Sequence, residues 1–318
     1  MPLIFFILLY IHTLSFGGLH NITQVTEESM GFKQAGEGYF SPDGKKIIFQ
    51  AVPLHKENFQ IYIMDLEEKK PLMVSTGEGG CTCANFRADG KKIIFASSHS
   101  NPNLEEEKSQ QQTKGGKYKW NFTPYMNIYE SNLDGSDLTP LTEGSAYHAE
   151  CAYSVDGSKI VYASNEDGHM NIYTMNYDGS DKKQITFNSH CYYGGPFFSP
   201  DGREIVFRAD KEKADYLQIY TINLENRQER QLTCNEYVNW APYYHPSGKY
   251  IAYTTSIHGH HQYEIYLLEI ESLKQTRVTF SPSFDGLPVF NWKGDKLLWT
   301  SKRGGNFSQL FIANFTFY

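Results

Sequence analysis

Two rows of residues are spaced so that they could do chemistry together. Six positions before each of six recurrent turns stand Ala35, Cys81, His148, Tyr193, Asn239 and Asp285; two positions later stand Glu37, Cys83, Glu150, Gly195, Ala241 and Leu287. Carboxylates, thiols, an imidazole and an amide delivered in register to one place would line a binding funnel, with Tyr147 and Trp240 as flat stacking surfaces. The expected binding set is therefore Glu37, Cys81, His148, Glu150, Tyr193, Asn239, Trp240 and Asp285. The competing reading is that these groups cap strand ends and bond loop backbone, as polar loop residues commonly do.

For catalysis, a base and an electrophile must aim at one point. The candidate set is His148 with Glu150, Glu37 or Asp285. The sequence contains no Gly-x-Ser-x-Gly elbow, no His-Glu-x-x-His and no phosphate-cradling glycine loop, so no residue is assigned as catalytic. Cys81, Cys83, His148, Glu150, Asp285 and Glu37 are acceptable metal-ligand types, yet Cys-x-Cys without a second close pair is thin evidence. No cofactor is assigned, and a structural or channel-bound metal ion stays open. The Asp-Gly-Ser-Asp stretches at 134–137 and 178–181 lack the later glutamate of a calcium loop and read as hairpin turns. His258, His260 and His261 read as an exposed loop cluster.

The elements that position these residues come from a repeat. Ser41-Pro42-Asp43-Gly44-Lys45 leads into Ile47-Ile48-Phe49, and the pattern returns at Arg87, Ser154, Ser199, His245 and Asn291. Each copy has an aromatic-ended run, a Pro-Asp-Gly type turn, a β-branched strand, a third strand such as Gln218-Ile219-Tyr220, and a short edge ending in Leu-Thr or Ile-Thr. Proline fixes φ and glycine accepts positive φ, so the chain reverses tightly. Four antiparallel strands recurring at about 46 residues are the mark of a β-propeller blade. The expected fold is all-β, a six-bladed propeller, with extra polar residues inserted at about 100–124, and Tyr118-Lys119-Trp120 at their end is expected to fold back over a face. The sixth copy lacks its edge strand, and Ile22-Thr23-Gln24-Val25-Thr26 copies it, so the N-terminal segment should complete the last blade.

Ahead of that segment, residues 3–11 are uninterruptedly apolar and are followed by Ser15, Gly17 and Gly18, the outline of a secretory signal. The expected division is a cleaved signal over 1–18 and a propeller over 19–318, with no membrane span once the signal is gone. In an oxidising compartment a disulfide is favoured over a metal site for Cys81 or Cys83, and the odd count of five leaves at least one cysteine without an internal partner. Four Asn-x-Ser/Thr sequons, at Asn21, Asn121, Asn306 and Asn314, matter only in a eukaryotic secretory pathway.

The Ser-Pro-Asp-Gly-Lys turn, the Gln-Ile-Tyr strand, the Leu-Thr edge, the run Tyr193-Gly194-Gly195-Pro196-Phe197-Phe198 and Ser301-Lys302-Arg303-Gly304-Gly305 resemble the TolB-type propeller repeats over about residues 21–315. The resemblance implies a stand-alone six-bladed propeller without the α/β domain that TolB itself carries ahead of its repeats. Together with the signal and the funnel residues, the expectation is an exported, periplasmic or secreted monomer that binds a protein, peptide or glycan at the channel mouth. Related propellers that are lyases give the alternative, a metal-assisted enzyme acting on acidic saccharides. With 36 acidic against 29 basic residues and a net charge of −7, nucleic acid is not expected as a partner.

Overall fold

The computed structural model describes residues 18–104 and 122–317. They form six four-stranded antiparallel sheets in which sequence order is also spatial order, except that Gly18–Gln24 pairs with the last strand, Gln309–Thr316. The innermost strands are Phe32–Phe40, Cys81–Phe86, His148–Tyr153, Tyr193–Phe198, Asn239–Tyr244 and Asp285–Phe290. Each packs on the innermost strands of its two neighbours, and the contacts run from the sixth blade back to the first. This is the six-bladed propeller expected from the repeat.

The repeated words have identifiable physical tasks. In the first turn, Ser41 Oγ donates to Asp43 Oδ1 at 2.6 Å and accepts from the Lys46 N–H at 2.9 Å, while Gly44 takes a φ of 70°. The other turn glycines, at 90, 157, 202, 248 and 294, lie between 67° and 77°, where a side chain is unfavourable. The Leu-Thr edge and the Gln-Ile-Tyr strand interlock. In all six blades a Ser or Thr hydroxyl accepts from the backbone N–H of the second residue of the third strand, at 2.8–3.0 Å. In most blades the same hydroxyl donates to the buried Gln, Asn or Glu that opens that strand, as Ser75 does to Gln60 at 2.7 Å. A buried N–H and a buried side-chain oxygen are thus satisfied by one group.

Blade six takes this group from the other end of the chain. Thr26 Oγ1 accepts from the Leu310 N–H at 2.8 Å and donates to Gln309 Oε1 at 2.8 Å, and the Val25 N–H bonds the Leu310 carbonyl. The sheet edge that would otherwise be open is filled.

The insertion falls between the second and third strands of blade two, Lys92–Ser97 and Asn127–Asn132, where other blades use short loops. Residues 105–121, including Tyr118-Lys119-Trp120, and the apolar run at 1–17 lie outside the described residues. The five cysteines are free thiols, Cys81, Cys83 and Cys151 buried, so the expected disulfide at Cys81 or Cys83 is not formed. Cys81 is instead engaged by Ser97 Oγ at 3.1 Å.

Candidate functional site at the channel mouth

Each innermost strand carries a β-bulge at its third residue after the turn of the chain into the strand, or at the equivalent point of the longer first one. The extra residue is Glu37, Cys83, Glu150, Gly195, Ala241 or Leu287, and all six have φ between 45° and 58°. A bulge breaks the alternation of a strand and re-aims one side chain. Here it turns the second row inward, and all six residues line one central cavity of about 570 Å³ of non-atom space, open solvent at its mouth included. The freed backbone N–H groups find partners in the preceding blade: Glu37 N–H bonds Thr300 Oγ1 at 2.9 Å, Leu287 N–H bonds Thr254 Oγ1 at 3.0 Å, and Gly195 N–H bonds Glu150 Oε2.

The ring is chemically lopsided. Blades one to three contribute Glu37, Cys83 and Glu150; blades four to six contribute Gly195, Ala241 and Leu287. On the polar side Glu150 pairs with Arg208 at 2.6 Å, both side chains under a tenth exposed, and Tyr192 donates to Glu150 at 3.2 Å while accepting from Arg208 at 2.6 Å. Gly194 and Gly195 make room for this group. A Cβ on Gly195 would lie 2.1 Å from Arg208 Nη1, and one on Gly194 would lie 2.1 Å from the Tyr192 hydroxyl. Two residues deeper, Tyr39, Phe197 and Tyr243 meet across the axis with ring centroids 5.0–6.3 Å apart and form an aromatic floor. At the rim, Trp240 packs against Tyr263 and Phe284, and Phe122, returning from the insertion, stacks on Tyr192 and meets Tyr147 edge-on.

Of the expected set, Glu37, Glu150 and Trp240 line this cavity. Cys81, His148, Tyr193, Asn239 and Asp285 open their strands at the seams between blades and are buried. His148 Nδ1 contacts Ser164 Oγ at 2.9 Å, and burial pushes its pKa down to about 4, so the ring is neutral. Asn239 donates to Gln218 Oε1 at 2.9 Å; Asp285 accepts from Trp299 Nε1 at 3.2 Å and pairs with Arg303. The set His148, Glu37, Glu150 and Asp285 is therefore not brought to one point. Among the described residues no three His, Cys, Asp or Glu side chains are grouped to hold a metal ion. Residues that the sequence reading did not single out complete the site: Arg208, Tyr192, Cys151, Tyr39, Phe197 and Tyr243.

Glu37 is the electrostatically unusual member. Desolvation inside the ring, with the Glu150 carboxylate adding to it, pushes its carboxyl up to about 7 against the favourable bonds from Cys83 and Tyr39 and the smaller pull of the Arg208 charge. Between pH 4.5 and 7 the unfolded chain has released this proton and the folded chain keeps it. Stability attributable to Glu37 therefore falls as pH rises through that window, by up to about 3 kcal/mol, and is flat above it. In Glu37→Gln protein this part of the slope is expected to vanish, which urea unfolding at pH 5, 6, 7 and 8 would reveal.

Comparison with known proteins agrees with the fold. The model of the TolB beta propeller domain matches residues 121–235 and 196–316. The chain belongs to the TolB β-propeller family. A TolB-like structure from Agrobacterium tumefaciens superposes with a TM-score of 0.63 at 18% identity, covering 93% of this chain and 97% of that one. An oligogalacturonate lyase in complex with manganese shares the fold at a TM-score of 0.57 and 14% identity, covering 95% and 96%. In sequence, the Tol-Pal system protein TolB of Francisella tularensis subsp. mediasiatica (strain FSC147) is 34% identical over 118 residues, 36% of this chain and 27% of that protein. The TolB-like propeller thus matches about a quarter of the length of that relative. Among the described residues no helix is long and apolar enough to cross a membrane.

Proposed function

We propose that this TolB-like propeller is an exported binding module that receives part of a partner, protein, peptide or glycan, in the cavity at its channel mouth. The observation that carries the reading is the ring of six inward-turned residues, one per blade, above an aromatic floor. Concave sites that combine apolar walls with a few placed polar groups are the usual form of a ligand pocket. Export rests on the apolar run at residues 3–11 and on similarity to a protein named for the Tol-Pal system. The lyase reading has the shared fold as its support, while the acid–base set it would use is divided between cavity and seams.

The test is capture from native envelope and secreted fractions with three baits: the wild-type protein, Trp240→Ala, and Leu287→Arg, which fills the cavity. A partner held by the wild type and lost by both variants is the expected result. Equal capture by all three baits would move the site elsewhere on the molecule.

A further inference from the structure

We infer that the cavity is built to take an alkylammonium group, its charge against Glu37 and its carbon atoms against the aromatic floor. The inference rests on the binding-module reading and gives the chemistry of that site. Three observations converge on it.

First, the two carboxylates of the ring are not equivalent. Glu150 has Arg208 as its ion partner, together with Tyr192 and the Gly195 N–H. Glu37 is held by neutral groups, the Tyr39 hydroxyl at 3.3 Å and the Cys83 thiol, and its backbone is tied to Thr300. The guanidinium bonds Glu150 directly, and its charge acts on Glu37 more weakly than the Cys83 and Tyr39 bonds or the Glu150 charge. Second, the surface beneath Glu37 is aromatic: Tyr39, Phe197 and Tyr243 form the floor and Trp240 the wall. Such rings attract a cation that sits within about 6 Å of a ring centre and also accept its methylene or methyl groups. Third, the wall that blades five and six supply is Ala241, Leu287, Pro242 and Pro288, which suits a carbon stem and offers no competing charge. A guest with one positive charge and an apolar body matches all three sides, since the charge of Glu150 is already met by Arg208 and that of ionised Glu37 has no direct ion partner among the described residues.

The groups facing Glu37 are Tyr39 from its own strand, Cys83 and Cys151 from blades two and three, Glu150, Arg208, and Thr300 from blade six. Burial holds both thiols well above their ordinary range, so neither supplies charge near neutrality. The cation therefore meets Glu37 itself, and its binding expels the Glu37 proton. Affinity should rise with pH up to about 7, close to tenfold per unit below that point, and level off above it.

Isothermal titration of the full chain with choline, and with its neutral isostere 3,3-dimethylbutan-1-ol, tests the charge. A short peptide with one central lysine, and the same peptide with that lysine acetylated, test whether the ammonium comes from a polypeptide. The expected result is binding of choline or of the lysine peptide that exceeds its neutral counterpart by about tenfold or more at pH 8 and weakens by a similar factor in Glu37→Gln. Below about pH 7 the folded protein carries Glu37 protonated, and Glu37→Gln resembles that state, so the variant keeps its fold. If choline alone binds, the source is a small amine; if the peptide alone binds, it is a partner's lysine. Equal binding of charged and neutral probes, or no loss in Glu37→Gln, overturns the ammonium inference and leaves the cavity as a binding site. The same holds if no probe binds while Leu287→Arg still abolishes partner capture. If capture is also indifferent to Leu287→Arg, the binding-module reading falls with it.

Discussion

Replacing Gly195 by alanine destabilises the protein by about 3 kcal/mol, while the reverse exchange at the equivalent ring position, Ala241→Gly, changes stability by less than about 0.5 kcal/mol. The two residues share a backbone conformation, with φ of 58° and 50°, and other ring positions carry full side chains there. Left-handed φ alone therefore does not demand glycine at 195. What demands it is Arg208, whose Nη1 would stand 2.1 Å from the new methyl. The guanidinium must move off Glu150, and an ion pair broken inside the protein leaves a charge without compensation. At 241 the glycine relieves backbone strain and gives up chain stiffness and one methyl, effects of opposite sign. Urea unfolding of both variants checks the contrast. In a Glu150→Gln/Arg208→Met background the Gly195→Ala cost should drop to about 1 kcal/mol, that of the backbone alone. An undiminished cost there would mean that the clash with Arg208 is not the cause.

Removing residues 18–26 lowers the thermal midpoint by about 6 °C or more. The deletion takes away the burial of Val25, worth about 2 kcal/mol, and leaves the Leu310 N–H and Gln309 Oε1 without Thr26, worth about 2–3 kcal/mol. It also opens the edge of Gln309–Thr316. For a chain of this size each kcal/mol moves the midpoint by about 1.5–2 °C. Thr26→Val, which keeps the shape and removes the hydroxyl, isolates about 2 kcal/mol of the effect. A synthetic peptide of residues 18–27 added to the truncated protein should restore much of the loss. An unchanged midpoint after truncation would show that the ring holds without its terminal strand.

The architecture could be read from the sequence because each blade repeats a complete local instruction. Ser-Pro-Asp-Gly specifies a turn whose bonds lie within five residues, and Leu-Thr with Gln-Ile-Tyr specifies the pairing of third and fourth strands. Even the closure was legible, since Thr26 stands where Thr142 or Thr279 stands in other copies. The site was only half legible. Both rows of candidates were placed near the mouth, but which row faces inward depends on a bulge, and a bulge has no fixed sequence: Glu37, Cys83, Ala241 and Leu287 all occupy it. Seams and cavity are separated by two residues and a change in the sign of φ. Arg208 did leave a trace. The second strands pair Gln50, Ala96, Ala163, Arg208, Thr254 and Thr300 with the residue before the bulge, so a lone charge faces Gly194. Small opposite large, in a repeat that otherwise varies mildly, marks a place where a side chain crosses a strand.

The meeting of Tyr39, Phe197 and Tyr243 has a consequence for traffic. Rings that reach the axis from the first, fourth and fifth blades turn the bore into a cul-de-sac. A polypeptide offers this protein a terminus, a hairpin tip or one side chain, and cannot be threaded through it. Whatever enters leaves by the same door, so a visitor bound here is released only by reversing its arrival. The opposite face of the disc is then a surface separate from the cavity.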